Sequence, residues 1–146
     1  MASPEAADWK QSMEWNDAYS IDHGSVDDDH MHLFRLFNDF SRAVRDDKAE
    51  PAVKPFLDEL MNYTKYHFAR EEALMARMKY PDLPSHQESH QRFITQVDVI
   101  IADYRAGKKV EGFLLDFVMT WLSGHILIID KRVSDFIGEQ QGASQA

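Results

Sequence analysis

Apolar residues recur every three or four positions in four long segments of the chain, and short polar breaks separate the segments. This spacing places them on one face of an α-helix, so it predicts four amphipathic helices. The second helix is expected to end near Met78, and the fourth to run from near Glu111 to Gly138. The apolar positions in chain order are Leu33, Phe34, Phe37, Phe40 and Val44; Leu57, Leu60, Leu74 and Met78; Phe93, Ile94, Val97, Ile101 and Tyr104; and Leu115, Leu122, Ile126, Ile129 and Val133.

Two of the breaks carry signals for the start of a helix. Asp27 stands where its side chain can cap the first helix. Ser85, followed three residues later by Glu88, matches a capping box for the third helix. We therefore expect these two helices to begin at or just after Asp27 and Ser85.

Four helices joined by short links predict an all-α fold, namely an up-down-up-down four-helix bundle with an irregular N-terminal arm. The arm is expected to span residues 1–25 and to pack on the bundle through Trp15 and Tyr19. The bundle itself is expected to span residues 26–138, and residues 139–146 are expected to form a flexible tail.

The composition narrows the choice of partner and compartment. Asp and Glu number 25 against 16 Lys and Arg, a formal net charge of −9, so we expect no nucleic-acid partner. The absence of cysteine excludes disulfides, thiolate catalysis and cysteine-ligated metals. The chain has no secretory signal pattern and no apolar run near the roughly 20 residues of a membrane span. A cytoplasmic protein without membrane insertion is therefore expected.

Ligand-type residues interrupt the predicted core faces of three helices. His67 and Glu71 lie four residues apart and continue the apolar face of the second helix. His86 and His90 do the same in the third helix, and His30 leads into the apolar stripe of the first. Buried polar groups cost free energy unless they are satisfied, and one metal ion can satisfy several of them together.

The fourth helix contains the stretch "GHILIIDK", in which His125 and Asp130 are five residues apart. In a regular α-helix these positions lie about 140° apart, so the two side chains do not share a face. The apolar stripe runs midway between them, and each side chain could lean towards the bundle axis from its own edge. This arrangement is awkward for one metal ion and suits two adjacent ions.

Five histidines and two carboxylates are thus drawn from all four helices. Each motif alone is a weak signal, but coincidence is a poor explanation for all of them on inward faces. Histidine suits iron, copper, zinc or nickel, and seven ligands are too many for one tetrahedral zinc. The set therefore predicts two transition-metal ions bridged by the carboxylates. His32, about 200° round the helix from His30, is expected to face solvent, and His23 lies in the arm.

The segments "VDDDHMHLF", "HFAREEALM", "YPDLPSHQESH" and "WLSGHILIID" together resemble the hemerythrin family, in particular its single-domain bacterial members. The resemblance extends from "MEWNDAYS" to "DKRVSDFI". It implies two iron ions with a bridging oxo or hydroxo group, at which O2 binds reversibly. It implies the following roles: His86, His90 and His125 on one iron; His30 and His67 on the other; Glu71 and Asp130 as bridges; and Leu33, Phe68 and Leu122 as the lining of the O2 pocket.

Four positions depart from the family pattern. Asp22, His23 and Asp29 stand where the family more often has Gly, an apolar residue and Gln. Lys79 stands where Gly is frequent. Since none of the four is a ligand position, we expect them to affect access to the site at most.

The ligand set favours reversible binding over catalysis. The chain contains no Glu-x-x-His, the motif of ferritin-like di-iron proteins, and offers no further base or nucleophile near the site. Five neutral imidazoles also disfavour the high-valent states that break O–O bonds. We expect a monomeric, non-enzymatic protein that binds O2 for transport, storage or delivery to an O2-consuming partner enzyme. The alternatives are a di-iron oxidase, peroxidase or nitric-oxide-handling enzyme, or a sensor of O2 or iron.

Overall fold

The computed structural model describes residues 13–21 and 24–145, and within these ranges it is helical along most of its length with no strand. The prediction of an all-α four-helix bundle is confirmed. The fourth helix of the bundle is built from α4, a π-helical turn and α5, which follow one another without a break. The elements are a short 3-10 helix (Asp17–Tyr19), α1 (Ser25–Arg45), α2 (Ala49–Arg77), α3 (Leu83–Arg105), α4 (Glu111–Gly124), the π-turn (His125–Asp130) and α5 (Lys131–Gln145).

One backbone turn ends each of the first three helices. The residue after the C-cap adopts a left-handed conformation, and the next amide donates to a carbonyl five residues back, which is the Schellman motif. The left-handed residues are Asp47, Lys79 and Gly107, with φ of 57°, 56° and 85°. The bonds are Lys48 to Ala43 (2.7 Å), Tyr80 to Met75 (2.9 Å) and Lys108 to Asp103 (3.0 Å). Each helix therefore ends abruptly, which permits the short links of the bundle.

The first helix begins earlier than expected, and Asp27 is not its cap. The helix starts at Ser25 with Gly24 as N-cap. Asp27 is buried and accepts hydrogen bonds from the hydroxyl of Ser20 at 2.7 Å and from the amide of Ile21 at 2.6 Å. Its carboxylate thus ties the arm to α1.

The capping box expected at Ser85 and Glu88 is also wrong. The third helix begins at Leu83, with Asp82 as an N-cap that makes no side-chain hydrogen bond. Pro84 occupies the first turn, where its fixed φ suits a helix and its missing N–H costs nothing. The helix can therefore begin before Ser85.

The arm packs on α1 through aromatic and polar contacts. Trp15 and Tyr19 meet the ring of Phe34 edge-on, with centroids 5.6 Å and 5.0 Å away. The side chain of Asn38 accepts from the amide of Met13 at 2.7 Å and donates to its carbonyl at 3.0 Å. These contacts fix the arm over the middle of α1.

Two apolar clusters lie along the bundle, with the candidate ligands between them. Along α2, Glu71 lies between Phe68 of the larger cluster and Met75 of the smaller one. Along the fourth helix, Asp130 lies between Ile126 and Val133 in the same way. The polar layer is therefore enclosed by apolar side chains on both sides, which keeps it away from water.

The fourth helix continues past its expected end at Gly138 and reaches Gln145. A glycine inside a helix costs roughly 1 kcal/mol relative to alanine, which does not suffice to end one when good helix formers such as Glu139 and Gln140 follow. The flexibility of residues 139–146 stays a prediction.

By length and apolar composition, the stretch Glu111–Gln140 would also suffice to cross a membrane. The core helix of a soluble protein meets the same criterion. This helix carries the buried His125 and Asp130 on its inner side, which is the position of a core helix.

Candidate metal centre

The seven candidate ligands come from every helix of the bundle and meet in its interior. None of them exposes more than 5% of its surface. Their donor atoms form two sets, and within each set the atoms lie within 4.8 Å of one another. The three-histidine set holds His86, His90 and His125; the two-histidine set holds His30 and His67; and Glu71 and Asp130 belong to both. The structure thus brings together all seven residues.

Glu71 presents a different oxygen to each set. Its Oε1 atom lies 2.6 Å from Nε2 of His86 and 3.3 Å from Nε2 of His90. Its Oε2 atom lies 3.1 Å from Nε2 of His67 and 3.6 Å from Nε2 of His30. One carboxylate therefore reaches both groups of imidazoles from α2.

Asp130 divides its oxygens in the same way from the opposite side. Its Oδ1 atom lies 2.9 Å from Nε2 of His86 and 3.0 Å from Nε2 of His125. Its Oδ2 atom lies 3.2 Å from Nε2 of His30. Two carboxylates shared in this manner are the arrangement that bridges a pair of metal ions.

The π-turn explains how His125 and Asp130 come together, and it corrects the expectation that they lie about 140° apart on opposite edges of the stripe. Their segment is π-helical, so its hydrogen bonds run from residue i to i+5 and a single turn takes up an extra residue. Residues five apart therefore lie near the same face. The extra length is accommodated on the outside, where Leu127 and Ile128 are exposed.

The buried atoms of the cluster lack other partners. Both oxygens of Glu71, both oxygens of Asp130 and Nε2 of His86 make no hydrogen bond of acceptable geometry within the described structure, although they are buried. A buried polar atom left in this condition costs about 1–3 kcal/mol. Imidazole nitrogens and carboxylate oxygens are donors that iron and related transition metals accept. The residues present therefore fit a centre of two metal ions.

Among the protein's own groups, the two carboxylates favour protonation of His30 and His86, whereas burial lowers the pKa of His90. Burial lowers the pKa of His30, but the carboxylates of Asp130 and Glu71 outweigh it and raise the pKa to about 10. The same balance raises the pKa of His86 to about 9. Burial and the charge of Glu71 raise the pKa of Asp130, yet the surrounding histidines lower it to about 2. A metal ion would displace these protons from the imidazoles.

Comparison with known proteins agrees with this geometry. The family model described as the hemerythrin HHE cation binding domain matches residues 23–137. The chain belongs to the hemerythrin family. Hemerythrins bind dioxygen at a non-haem di-iron centre, and the histidine–carboxylate cluster of this chain could hold the two ions.

Individual hemerythrins cover most of the chain. A bacteriohemerythrin of Clostridium acetobutylicum is 29% identical over 127 residues, which are 83% of this chain and 98% of the relative. A bacteriohemerythrin of Stenotrophomonas maltophilia is 30% identical, over 83% of this chain and 78% of its own. A myohemerythrin of Sipunculus nudus is 28% identical, over 80% of this chain and 86% of its own.

The outer nitrogens of three histidines are also engaged, by residues that sequence reasoning did not assign to the site. Nδ1 of His67 lies 3.1 Å from the carboxylate of Asp29. The other two contacts join Nδ1 of His90 to Glu72 at 3.3 Å and Nδ1 of His125 to Ser89 at 3.2 Å. Such partners fix the ring and the tautomer of a metal-binding histidine. Asp29 could have been noticed in the sequence because it departs from the family pattern. Nothing in the sequence points to Glu72 or Ser89 except that each is next to a ligand.

Aromatic rings pack against the three-histidine set. Phe68 stacks on the ring of His90 with centroids 3.9 Å apart, and Trp121 stacks on His125 at 4.2 Å. Phe68, Leu33 and Leu122 are all buried in the larger apolar cluster. Lining of an O2 pocket by these three residues stays a prediction.

His32, which the sequence analysis does not assign to the site, belongs to neither set. His32 is half-buried and packs on the ring of Tyr63 with centroids 4.0 Å apart, so it is only partly turned to solvent. His23 lies outside the described residues.

Proposed function

We propose that this protein binds O2 reversibly at a di-iron centre and serves in O2 transport, storage or delivery. The observation that carries the proposal is the division of Glu71 and Asp130 between the two sets of imidazoles. The protein then offers five donor atoms to one ion and four to the other. The ion of the two-histidine set is thus left with room for an external ligand.

The residues have distinct tasks in this proposal. His86, His90 and His125 would hold one iron and His30 and His67 the other, with Glu71 and Asp130 shared between the two ions, beside an oxo or hydroxo group. Leu33, Phe68 and Leu122 would line the O2 pocket and exclude water. The iron pair would supply the electrons needed for reversible O2 binding.

We favour O2 binding without catalysis at this site. Beyond the ligands, the buried polar residues in the described part of the chain are Ser20, Asp27, Asp29, Ser41 and Thr64. Asp29 faces Nδ1 of His67, on the side away from the ions, and Thr64 donates to the carbonyl of Leu60. None of the contacts described here puts a general acid or base beside the open position, so we propose a non-enzymatic role.

We further propose a monomeric cytoplasmic protein that supplies O2 to a consuming partner enzyme. The acidic net charge of −9 supports a monomer, because copies of the chain repel one another. The hemerythrin homologues are soluble proteins, which supports a cytoplasmic location.

The test begins with elemental analysis, for which we expect two irons per chain. The protein is then reduced without air, exposed to O2 and purged with argon, while its visible spectrum is recorded. A charge-transfer band that forms in O2 and vanishes under argon over repeated cycles is the expected result. Direct oxidation without a reversible band, or steady O2 consumption with release of water or peroxide, would refute the proposal in favour of an enzyme.

A further inference from the structure

Asp29 is a buried carboxylate directly behind one histidine of the two-histidine set. Its side chain is 4% exposed, and Oδ2 lies 3.1 Å from Nδ1 of His67. Two groups hold it in place: the hydroxyl of Tyr63 donates to Oδ1 at 3.0 Å, and Nε of Arg70 lies 3.3 Å from Oδ2. These three contacts leave the carboxylate little freedom to turn away from His67.

The other histidines lack an equivalent partner. Glu72, behind His90, is 26% exposed and more distant at 3.3 Å, so solvent screens its charge. His125 faces a neutral hydroxyl, that of Ser89. Nδ1 of His30 and Nδ1 of His86 have no hydrogen-bond partner within the described structure. Among the described residues, a carboxylate exposed by only 4% therefore stands behind the two-histidine set, and the three-histidine set has no equivalent.

We propose that Asp29 is a positioning residue that acts, through His67, on the metal ion of the two-histidine set. Its Oδ2 accepts a hydrogen bond from Nδ1–H of His67, which fixes the tautomer whose Nε2 lone pair faces Glu71 and the ion. Its charge also makes this imidazole a stronger donor. The inference rests on the proposed function, because it gives Asp29 influence over the ion that has room for O2.

The consequence for O2 follows from charge balance. Iron loses electron density when O2 binds, so a more strongly donating His67 favours the O2-bound form over the free reduced form. Replacement of the carboxylate by a neutral amide is then expected to weaken O2 binding several-fold. A purely structural role for Asp29, as a partner of Arg70 alone, predicts no such change once the protein is folded.

The experiment measures the stepwise affinity of the metal-free protein for Zn2+, a redox-inert probe, by competition with a chelator. The variants are Asp29→Asn and, as the matched control at the other set, Glu72→Gln. Because the three-histidine set offers one more donor, we assign the first binding step to it and the second step to the two-histidine set. Asp29→Asn is expected to weaken the second step by about 10- to 100-fold and to spare the first.

Glu72→Gln is expected to act on the first step, with a smaller change, and the double variant to weaken both. Equal weakening of both steps by Asp29→Asn, an effect on the first step alone, or no effect would overturn the proposal. Circular dichroism and thermal melts of the metal-free variants verify folding. If Asp29→Asn fails to fold, Tyr63→Phe keeps the carboxylate, removes one bond that orients it, and should show a smaller loss in the second step only.

The same proteins are then loaded with iron and titrated with O2. A higher half-saturating O2 concentration for Asp29→Asn than for Glu72→Gln supports the inference, and equal values contradict it. If the parent protein forms no reversible band, the proposed function fails while the Zn2+ result still decides the role of Asp29.

Discussion

At the scale of single residues, Glu71 shows why a carboxylate and not merely a polar group is needed at the centre. Its two oxygens face different imidazoles, 2.6 Å from His86 on one side and 3.1 Å from His67 on the other. A glutamine of the same shape offers only one oxygen, and its amide nitrogen is a donor that cannot bind a cation. The residue therefore joins the two halves of the site chemically as well as spatially.

Glu71→Gln should accordingly reduce the iron content from two per chain to one or none, while the helical content is kept because the side-chain volume is unchanged. Elemental analysis and circular dichroism measure the two effects. Glu88→Gln is the control, since Glu88 is 70% exposed and pairs with Arg92 across one turn. Two irons per chain in Glu71→Gln would show that Asp130 suffices as a bridge.

Lys79 has a backbone conformation that destabilises the folded protein. It is exposed and takes φ of 56° at the end of α2, a conformation that disfavours side chains other than glycine by roughly 1–2 kcal/mol. Lys79→Gly should raise the free energy of unfolding by about 0.5–1 kcal/mol, since part of the gain is offset by the freedom of glycine in the unfolded chain. Urea denaturation measures the change.

The control for this substitution is Lys65→Gly, at an exposed position inside α2, which should lower stability by about 1 kcal/mol. A loss of stability at both positions would mean that the left-handed conformation of Lys79 carries no strain.

At the scale of elements, the pattern of apolar residues predicted the four helices because their buried faces follow the regular period of 3.6 residues. The π-turn breaks that period at one place. The spacing of His125 and Asp130 therefore wrongly predicts that they lie on opposite edges of the apolar stripe. Nothing in "GHILIIDK" is specific to π-helical hydrogen bonds. The turn brings both ligands to one cluster, and such a tertiary arrangement is not visible in local periodicity.

Deletion of Ile128 tests the role of the π-turn. The deletion removes the extra residue, so the segment should become a regular α-helix in which His125 and Asp130 are four residues apart and lie about 40° from one another on the same face. The register of α5, including the buried Val133, should be kept. We expect normal helical content and two irons per chain, because both ligands still reach the cluster.

Ile128→Ala keeps the chain length at this exposed position and should retain both irons. Loss of iron in the shortened variant alone would mean that the ligands need the π-turn itself. Circular dichroism and iron content of the three proteins decide the matter.

At the scale of the whole molecule, the ligands of the first three helices could be predicted because they interrupt or lead into an apolar face that must be buried. His125 and Asp130 could be predicted because they flank the apolar stripe of the fourth helix. The starts of α1 and α3 could not, since Asp27 bonds the arm instead of its own helix and Pro84 allows an earlier start. The contacts of Glu72 and Ser89 with ligand histidines depend on the relative rotation of neighbouring helices. Local sequence does not encode that rotation.

The stability of the whole molecule should depend on pH differently with and without metal. In the metal-free protein, the pKa values of His30 and His86 are raised from 6.5 to about 10 and about 9 by Asp130 and Glu71, against the effect of burial. A raised pKa stabilises the fold fully below 6.5, and this contribution is lost as the pH rises through 9 and 10. The pKa of Asp130 is lowered from 3.8 to about 2, so its contribution is present above 3.8 and lost as the pH falls through 2.

The metal-free protein should therefore be most stable in the mildly acidic range between these limits and should weaken steadily on the alkaline side. In the iron-loaded protein the ions replace the imidazole protons, so the alkaline decline should be absent and the overall stability higher. Urea midpoints measured between about pH 5 and pH 10, before and after chelation, test both statements. His30→Gln in the metal-free protein should flatten part of the alkaline decline. Equal pH profiles with and without iron would mean that the cluster histidines carry no protons in the metal-free fold.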